Sequence, residues 1–461
     1  MTINNPLLRR SQSAPIENPY ERYGLRENPF PDSPTVTPDS SDPRVNGAIY
    51  CRELRVKEEA QFERLLIPKP GQPEPRRIGL LMDYATRRGR GIGKTAFLNE
   101  QRRRIMEDLG DQLTSGFYVL LAAHVTPEGG GRTRKFWQFV RLLARSLNSN
   151  RCIAAAIWRL RAFSGEITDE VLAKVDPSDL GSTLGNDEWL QSQHVNILFG
   201  LNPAVKRALL RSGVREQVAE SLAQDGHSPE AWERHFLLRQ SDHWWRNDGN
   251  ILVFDDLVRL FHAAEVNRLL LLVDEIEKIV VPQNSQERRT FTDDLRRYFV
   301  DGPYQSVYTH FYSLLLTIHP YIQELLTPHW QAAGLDRVCA MSGPTAKEYT
   351  VYFYPLDAED AAVPLVLTYL DYFRISSHQK GVLNPFDADS VVEALRLAGG
   401  IPGHMLTLLR LVLERAVQEQ WEVITSNQVR AIYESEVPSE PSNEIDLGQL
   451  PPVQIDLMNE E

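Results

Sequence analysis

Five consecutive apolar residues, Leu269–Val273, run straight into two acids, Asp274 and Glu275. A run this short, without polar alternation, reads as a strand buried on both faces. Ile78–Tyr84, Phe117–Val125, Tyr312–Ile318 and Tyr349–Tyr354 are comparable runs. Segments with helical spacing separate them, among them Thr95–Leu109, Arg134–Leu147 and Ile251–Ala263. Strands alternating with helices predict an α/β fold, a parallel sheet with helices on both faces.

The first of these strands leads into Arg88-Gly89-Arg90-Gly91-Ile92-Gly93-Lys94-Thr95, which opens a helix. Glycines let backbone N–H groups turn inward around phosphate oxygens, and the helix N-terminus adds positive potential. The spacing is that of a phosphate-binding loop, with Arg88 where the first glycine usually stands. Gly89, Gly91, Ile92, Gly93, Lys94, Thr95 and Ala96 form the expected cradle for ATP. Lys94 would reach the β- and γ-phosphates, and the Thr95 hydroxyl would hold Mg2+. Asp274 would bind the same ion, and Glu275 would polarise the attacking water. Ligands of open α/β sheets bind at the carboxyl ends of strands, so both motifs point to one crevice.

Together these motifs resemble the AAA+ superfamily of P-loop ATPases, over most of Ile78–Glu436. The resemblance implies a polar sensor at the end of the fourth strand, where Thr317 and His319 are the candidates. It implies an arginine finger acting on a neighbouring subunit, with Arg337 in Gly-Leu-Asp-Arg-Val first and Arg296 and Arg297 competing. Tyr354-Pro355-Leu356 looks like the passage into a helical lid. Gly399-Gly400-Ile401-Pro402-Gly403-His404 is similar to the lid turn, but Gly403 stands where that turn carries an arginine. Tyr23-Gly24-Leu25 with Asn28-Pro29-Phe30 resembles an element preceding ATPases of the ExeA and transposition-regulator type, where it packs near the nucleotide-binding core. Leu269–Val280 is also similar, more distantly, to ATPases of BREX-type phage-exclusion systems.

Around that core the chain is expected to divide into an extended arm at 1–45, an ATPase domain at 46–356, an all-helical lid at 357–436 and an acidic tail at 437–461. Residues 148–250 read as a large helical insertion in the ATPase domain. No run approaches the length needed to span a bilayer, and the first residues lack the apolar core of a secretion signal, so a cytoplasmic protein is expected. Cys51, Cys152 and Cys339 are too scattered for a disulfide framework or a zinc site. A net charge of -12 argues against a broad nucleic-acid-binding surface. The acids after Glu434 account for part of it.

His243-Trp244-Trp245-Arg246, with Trp158 and Trp232, offers aromatic rings beside arginine. Stacking on exposed bases and packing in a helical core are both open at this point. The expected function is that of an oligomeric ATPase, possessing a protein partner at the insertion, in a bacterial DNA transaction or anti-phage complex. The alternatives are an ATP-dependent signalling switch or assembly scaffold without DNA contact, and a secretion-type assembly ATPase.

Overall fold

The computed structural model describes residues 18–34, 36, 40–68, 74–83, 91–107, 110, 119–302 and 311–436. Arg88, Gly89, Arg90 and the acidic tail therefore lie outside the described residues. The chain forms two compact units. The larger holds 33–356 and Ile401–Gly403, and the smaller holds the remaining residues.

In the larger unit five parallel strands, β1 (Ile78–Asp83), β2 (Leu120–Val125), β3 (Arg268–Val273), β4 (Tyr312–Ile318) and β5 (Thr350–Phe353), lie in the order β2-β3-β4-β1-β5. Nearly every strand residue is buried, as the unbroken apolar runs predict. The expected β5 of Tyr349–Tyr354 loses one residue at each end.

Period-two alternation gives the sheet two different faces. Leu81, Ala122, Leu270, Leu272, Leu315 and Phe353 pack with Phe62 and Leu66 of α1 (Val56–Leu66) and with Phe97 and Leu98 of α2 (Lys94–Glu107). The opposite residues, among them Leu80, Ala123, Leu271 and Leu316, share a larger core with α3 (Phe136–Ser149), α4 (Cys152–Ala162) and the helices that follow. The helical insertion is thus continuous with the core on one face of the sheet. Its centre is α4, all of whose residues are buried.

After the insertion come α5 (Asn250–Ala263), which leads into β3, α6 (Ser285–Arg296) between β3 and β4, and α7 (Pro320–Ala332) between β4 and β5. No helix among the described residues is long and apolar enough to cross a membrane.

The smaller unit contains α8 (Ala358–Phe373), α9 (Ala388–Leu397), most of α10 (Pro402–Glu419) and α11 (Ser426–Glu436). The Tyr23–Phe30 cluster belongs to it rather than to the sheet-bearing unit that the resemblance implies. Tyr23 donates its hydroxyl to the carbonyls of Ala416 and Trp421, Leu25 bridges to Arg374, and Phe30 meets Phe386 edge-on at 5.8 Å. Burying three large apolar side chains supplies the reason for this placement.

Candidate functional site

The strand order explains how residues far apart in sequence meet. β4 lies between β1 and β3, so its carboxyl end separates the glycine loop after β1 from the acids after β3. The registers pair Leu81 with Thr317 and Val273 with Leu316. One residue further, Asp274 comes alongside Thr317. Asp83, His124, Asp274 and Thr317 all fall on the α2-covered face by the alternation of their strands.

Asp274 is the node. Its Oδ1 accepts a hydrogen bond from Thr317 Oγ1 at 2.9 Å, and its Oδ2 accepts one from Thr95 Oγ1 at 2.5 Å. His124 Nε2 stands 3.6 Å from Oδ2, farther than a hydrogen bond. Burial alone would raise this carboxyl, but His124, Thr95 and Thr317 outweigh it and hold the pKa at about 2. The group is a firm carboxylate with two hydroxyls on it.

Glu275 follows in the left-handed region, with φ 48°, a conformation that costs a non-glycine residue roughly 1 kcal/mol or more. Its N–H is shared between Thr317 Oγ1 at 2.7 Å and Asp274 Oδ1 at 2.9 Å, which holds the turn in place. The side chain is partly exposed and paired with Lys278. Thr317 therefore acts on both acids at once.

The loop arrives from the other side. Gly91 and Gly93 have φ 83° and 97°, values that favour glycine. Between them Ile92 is buried in the α1/α2 core, and its carbonyl accepts from Arg55 Nη2 at 2.9 Å. Arg55 is itself buried, with its guanidinium 4.5 Å from the centre of the Phe353 ring. Lys94, Thr95 and Ala96 form the first turn of α2, whose leading N–H groups have no partner within the helix. Lys94 Nζ contacts Asp83, a fully buried carboxylate at the end of β1. Burial pushes the Lys94 ammonium pKa down, against the pull of Glu277, Asp274 and Glu275. Burial likewise raises the Glu277 carboxyl, which Lys94 partly offsets.

The turn at Ile401–Gly403 closes the loop from outside. Gly403 N donates to Gly91 O at 2.8 Å. A Cβ on Gly403 would stand 2.9 Å from Gly91 Cα and 2.9 Å from Pro34 Cβ. The position at which the resemblance expects an arginine has no room for a side chain without a shift of the loop.

Lys94, Thr95, Asp274, Glu275 and Thr317 are thus brought together, with His319 beside them. His319 caps α7 by accepting from Tyr321 N at 3.2 Å, and its Nε2 lies 4.0 Å from Asp83 Oδ1. Burial, and then the nearby Lys94, lower its pKa. Arg337 is elsewhere: it is exposed in the turn beyond α7, and a 13-residue helix puts roughly 20 Å between the two ends. Arg296 is committed to the Ala333 carbonyl and Asp301, whereas Arg297 is exposed beside Tyr298. Asp83, His124, Glu277 and Arg55 were not singled out from the sequence. Only strand parity could have pointed to the first two.

Of the aromatic residues in the insertion, Trp158, Trp232 and Trp245 belong to the core, and packing accounts for them. Arg246 lies over the half-buried Trp137, 5.8 Å from the ring centre. That ring lines a cavity of about 290 Å³ with Arg132, Arg141 and Arg145, whose acidic neighbours are Glu128 and Asp242. Glu128 faces two of these arginines at 3.8 and 3.9 Å.

Comparison of the chain with family models, curated proteins and solved structures finds no match. The functional reading rests on this geometry and on the sequence motifs.

Proposed function

We propose that the chain binds ATP with Mg2+ at the carboxyl edge of the sheet and hydrolyses it. The observation that carries this is the hydrogen bond from Thr95, in the first turn after the glycine loop, to Asp274 at the end of β3. Two motifs that suggested the same chemistry separately in the sequence are in contact in the fold.

The residues fit the roles. The N–H groups of the Gly91–Gly93 turn and the start of α2 suit phosphate oxygens, and Lys94 adds a positive charge. Thr95 and Asp274 present a hydroxyl and a firm carboxylate, a partial oxygen shell of the kind Mg2+ completes with phosphate and water. When bound, the ion would neutralise charge on the phosphates. Glu275 would accept a proton from water once it leaves Lys278. Thr317 and the Asp274 carboxylate hold its backbone N–H, so they position the base.

The reading extends to an oligomer. Arg337 has no ion pair among the described residues and is far from its own site, which suits a finger acting on a second copy. The arginine-lined cavity beside Trp137 is the best candidate contact for nucleic acid, in keeping with a DNA-transaction or defence role. A nucleotide-controlled switch with slow turnover is the second reading. It is favoured by Gly403, which excludes a lid arginine from its usual position.

Nucleotide binding and turnover on the purified chain test the proposal. Lys94→Ala is expected to weaken ATP binding at least about 100-fold. Glu275→Gln should leave binding within about threefold and remove at least about 99% of turnover, the scale of a lost catalytic base. Wild-type protein that fails to bind ATP would sink the reading; turnover unchanged in Glu275→Gln would sink its hydrolytic part.

A further inference from the structure

Asp83 is a fully buried carboxylate that the ATP-site reading leaves without a task. It ends β1, and one oxygen meets the Lys94 ammonium. The other, Oδ1, has no hydrogen-bond partner among the described residues, and His319 Nε2 is 4.0 Å away. The register that pairs Met82 with Ile318 brings Asp83 beside His319, so the arrangement follows from the strands. A strand end does not require a charge. A neutral polar residue could occupy it without the cost of a dehydrated carboxylate.

The same lysine is the one expected to bind phosphate. Its ammonium cannot keep the close contact with Asp83 and also turn fully towards a ligand above the loop. Removing one partner from a buried ion pair leaves the other uncompensated, and that penalty is larger than the net value of the pair. Binding of phosphate through Lys94 must therefore disrupt this interaction.

We propose that Asp83 is a positioning residue that latches Lys94 and competes with the phosphates of ATP for it. This rests on the ATP-site reading and adds a control to it. The latch lowers affinity and speeds release, so a weakly held nucleotide leaves a site that resets itself. Neutralising Asp83 should therefore tighten nucleotide binding, the opposite of what loss of a structural or magnesium-binding carboxylate would do.

The experiment is a double-mutant cycle on the full chain, with a fluorescent ATP analogue and excess Mg2+ as the probe. Asp83→Asn is expected to lower Kd about tenfold and to slow release by a similar factor. In a Lys94→Ala background the same substitution should change Kd by less than about twofold, because the competition acts through the lysine. Asp83→Thr, neutral and smaller, should reproduce the gain, and thermal unfolding of each variant reports that it is folded. Weaker or unchanged binding in both folded neutral variants overturns the latch, as does a gain that persists without Lys94. Failure of both variants to fold also overturns it, by making Asp83 structural. If Lys94→Ala alone leaves ATP affinity unchanged, the ATP-site reading itself fails, and that result is read independently of Asp83.

Discussion

Two of the places where the larger unit buries charge treat it differently. In the insertion, Arg161 has no side-chain exposure, and both terminal nitrogens are occupied. Nη1 meets the Leu184 carbonyl and Asp187, each at 2.9 Å, and Nη2 meets His227 Nδ1 at 2.8 Å. At the sheet edge, Lys94 faces several carboxylates and Glu275 is in a strained conformation, while Asp83 Oδ1 and Arg161 Nε alike have no hydrogen-bond partner among the described residues. Partners that are all internal mark a charge that holds structure together. Charge balanced poorly, on strained backbone beside a helix N-terminus, marks a place built for something else to arrive.

The largest effect that could break this contrast comes from Arg161. Replacing it by alanine removes a fully buried cation and leaves His227 and the Leu184 carbonyl without it. Losing one member of a buried pair costs about 3–5 kcal/mol, and the low end applies here because Asp187 can reach water. Denaturant unfolding should show that loss, while ATP affinity per folded molecule stays within about twofold. A stable Arg161→Ala protein with altered ATP affinity would reverse the assignment of the two clusters.

The second effect is a pH dependence confined to the insertion. Burial, and then Arg161, lower the His227 pKa to about 4, while Asp187 and Asp225 pull it upward. The imidazole stays neutral in the fold over a range where the unfolded chain takes up a proton. Its contribution to stability is fully present above about 6.5, falls as the pH drops towards about 4, and is constant below that. The loss is on the order of 3 kcal/mol for a shift of this size. Urea midpoints measured at pH 7 and pH 4.5 should differ less in His227→Gln than in the wild type. An equal acid sensitivity in the two proteins would remove His227 from the account.

Much of the sheet was legible in the sequence. Runs such as Leu269–Val273 and Tyr312–Ile318 can satisfy their backbone only in a strand covered on both faces, and Tyr312–Ile318 matches β4 at both ends. Asp274 was legible because it closes an apolar run with a group that an apolar core cannot hold alone, and Lys94 because it follows a glycine loop that opens a helix. The strand order was not, since nothing in the order of the runs says that β4 enters between β1 and β3. Without it, Thr317 could be named only by resemblance, and Asp83 and His124 looked like ordinary strand ends. Arg55 was hidden for another reason: its role depends on the Phe353 ring and the Ile92 carbonyl, both distant in sequence. The packing of Tyr23, Leu25 and Phe30 was legible by resemblance, but the unit that receives them was not.

The smallest effect is at Gly403, and there the sign decides. Gly403 is in the first turn of α10, where alanine is ordinarily the better helix former by up to about 1 kcal/mol. If the turn merely started a helix, Gly403→Ala would be neutral or stabilising. A Cβ there meets the Gly91 backbone at 2.9 Å, so the loop must shift to admit it. The expected result is a loss of ATP affinity of about fivefold, close to 1 kcal/mol, with little change in unfolding midpoint. Gly129→Ala is the control, because a Cβ at Gly129 meets nothing within 4 Å. A Gly403→Ala protein that binds ATP as well as the control would show that the Gly403–Gly91 hydrogen bond does not shape the loop. Poor charge balance in Asp83 and Lys94 would then have to account for the site's adaptability without help from its backbone.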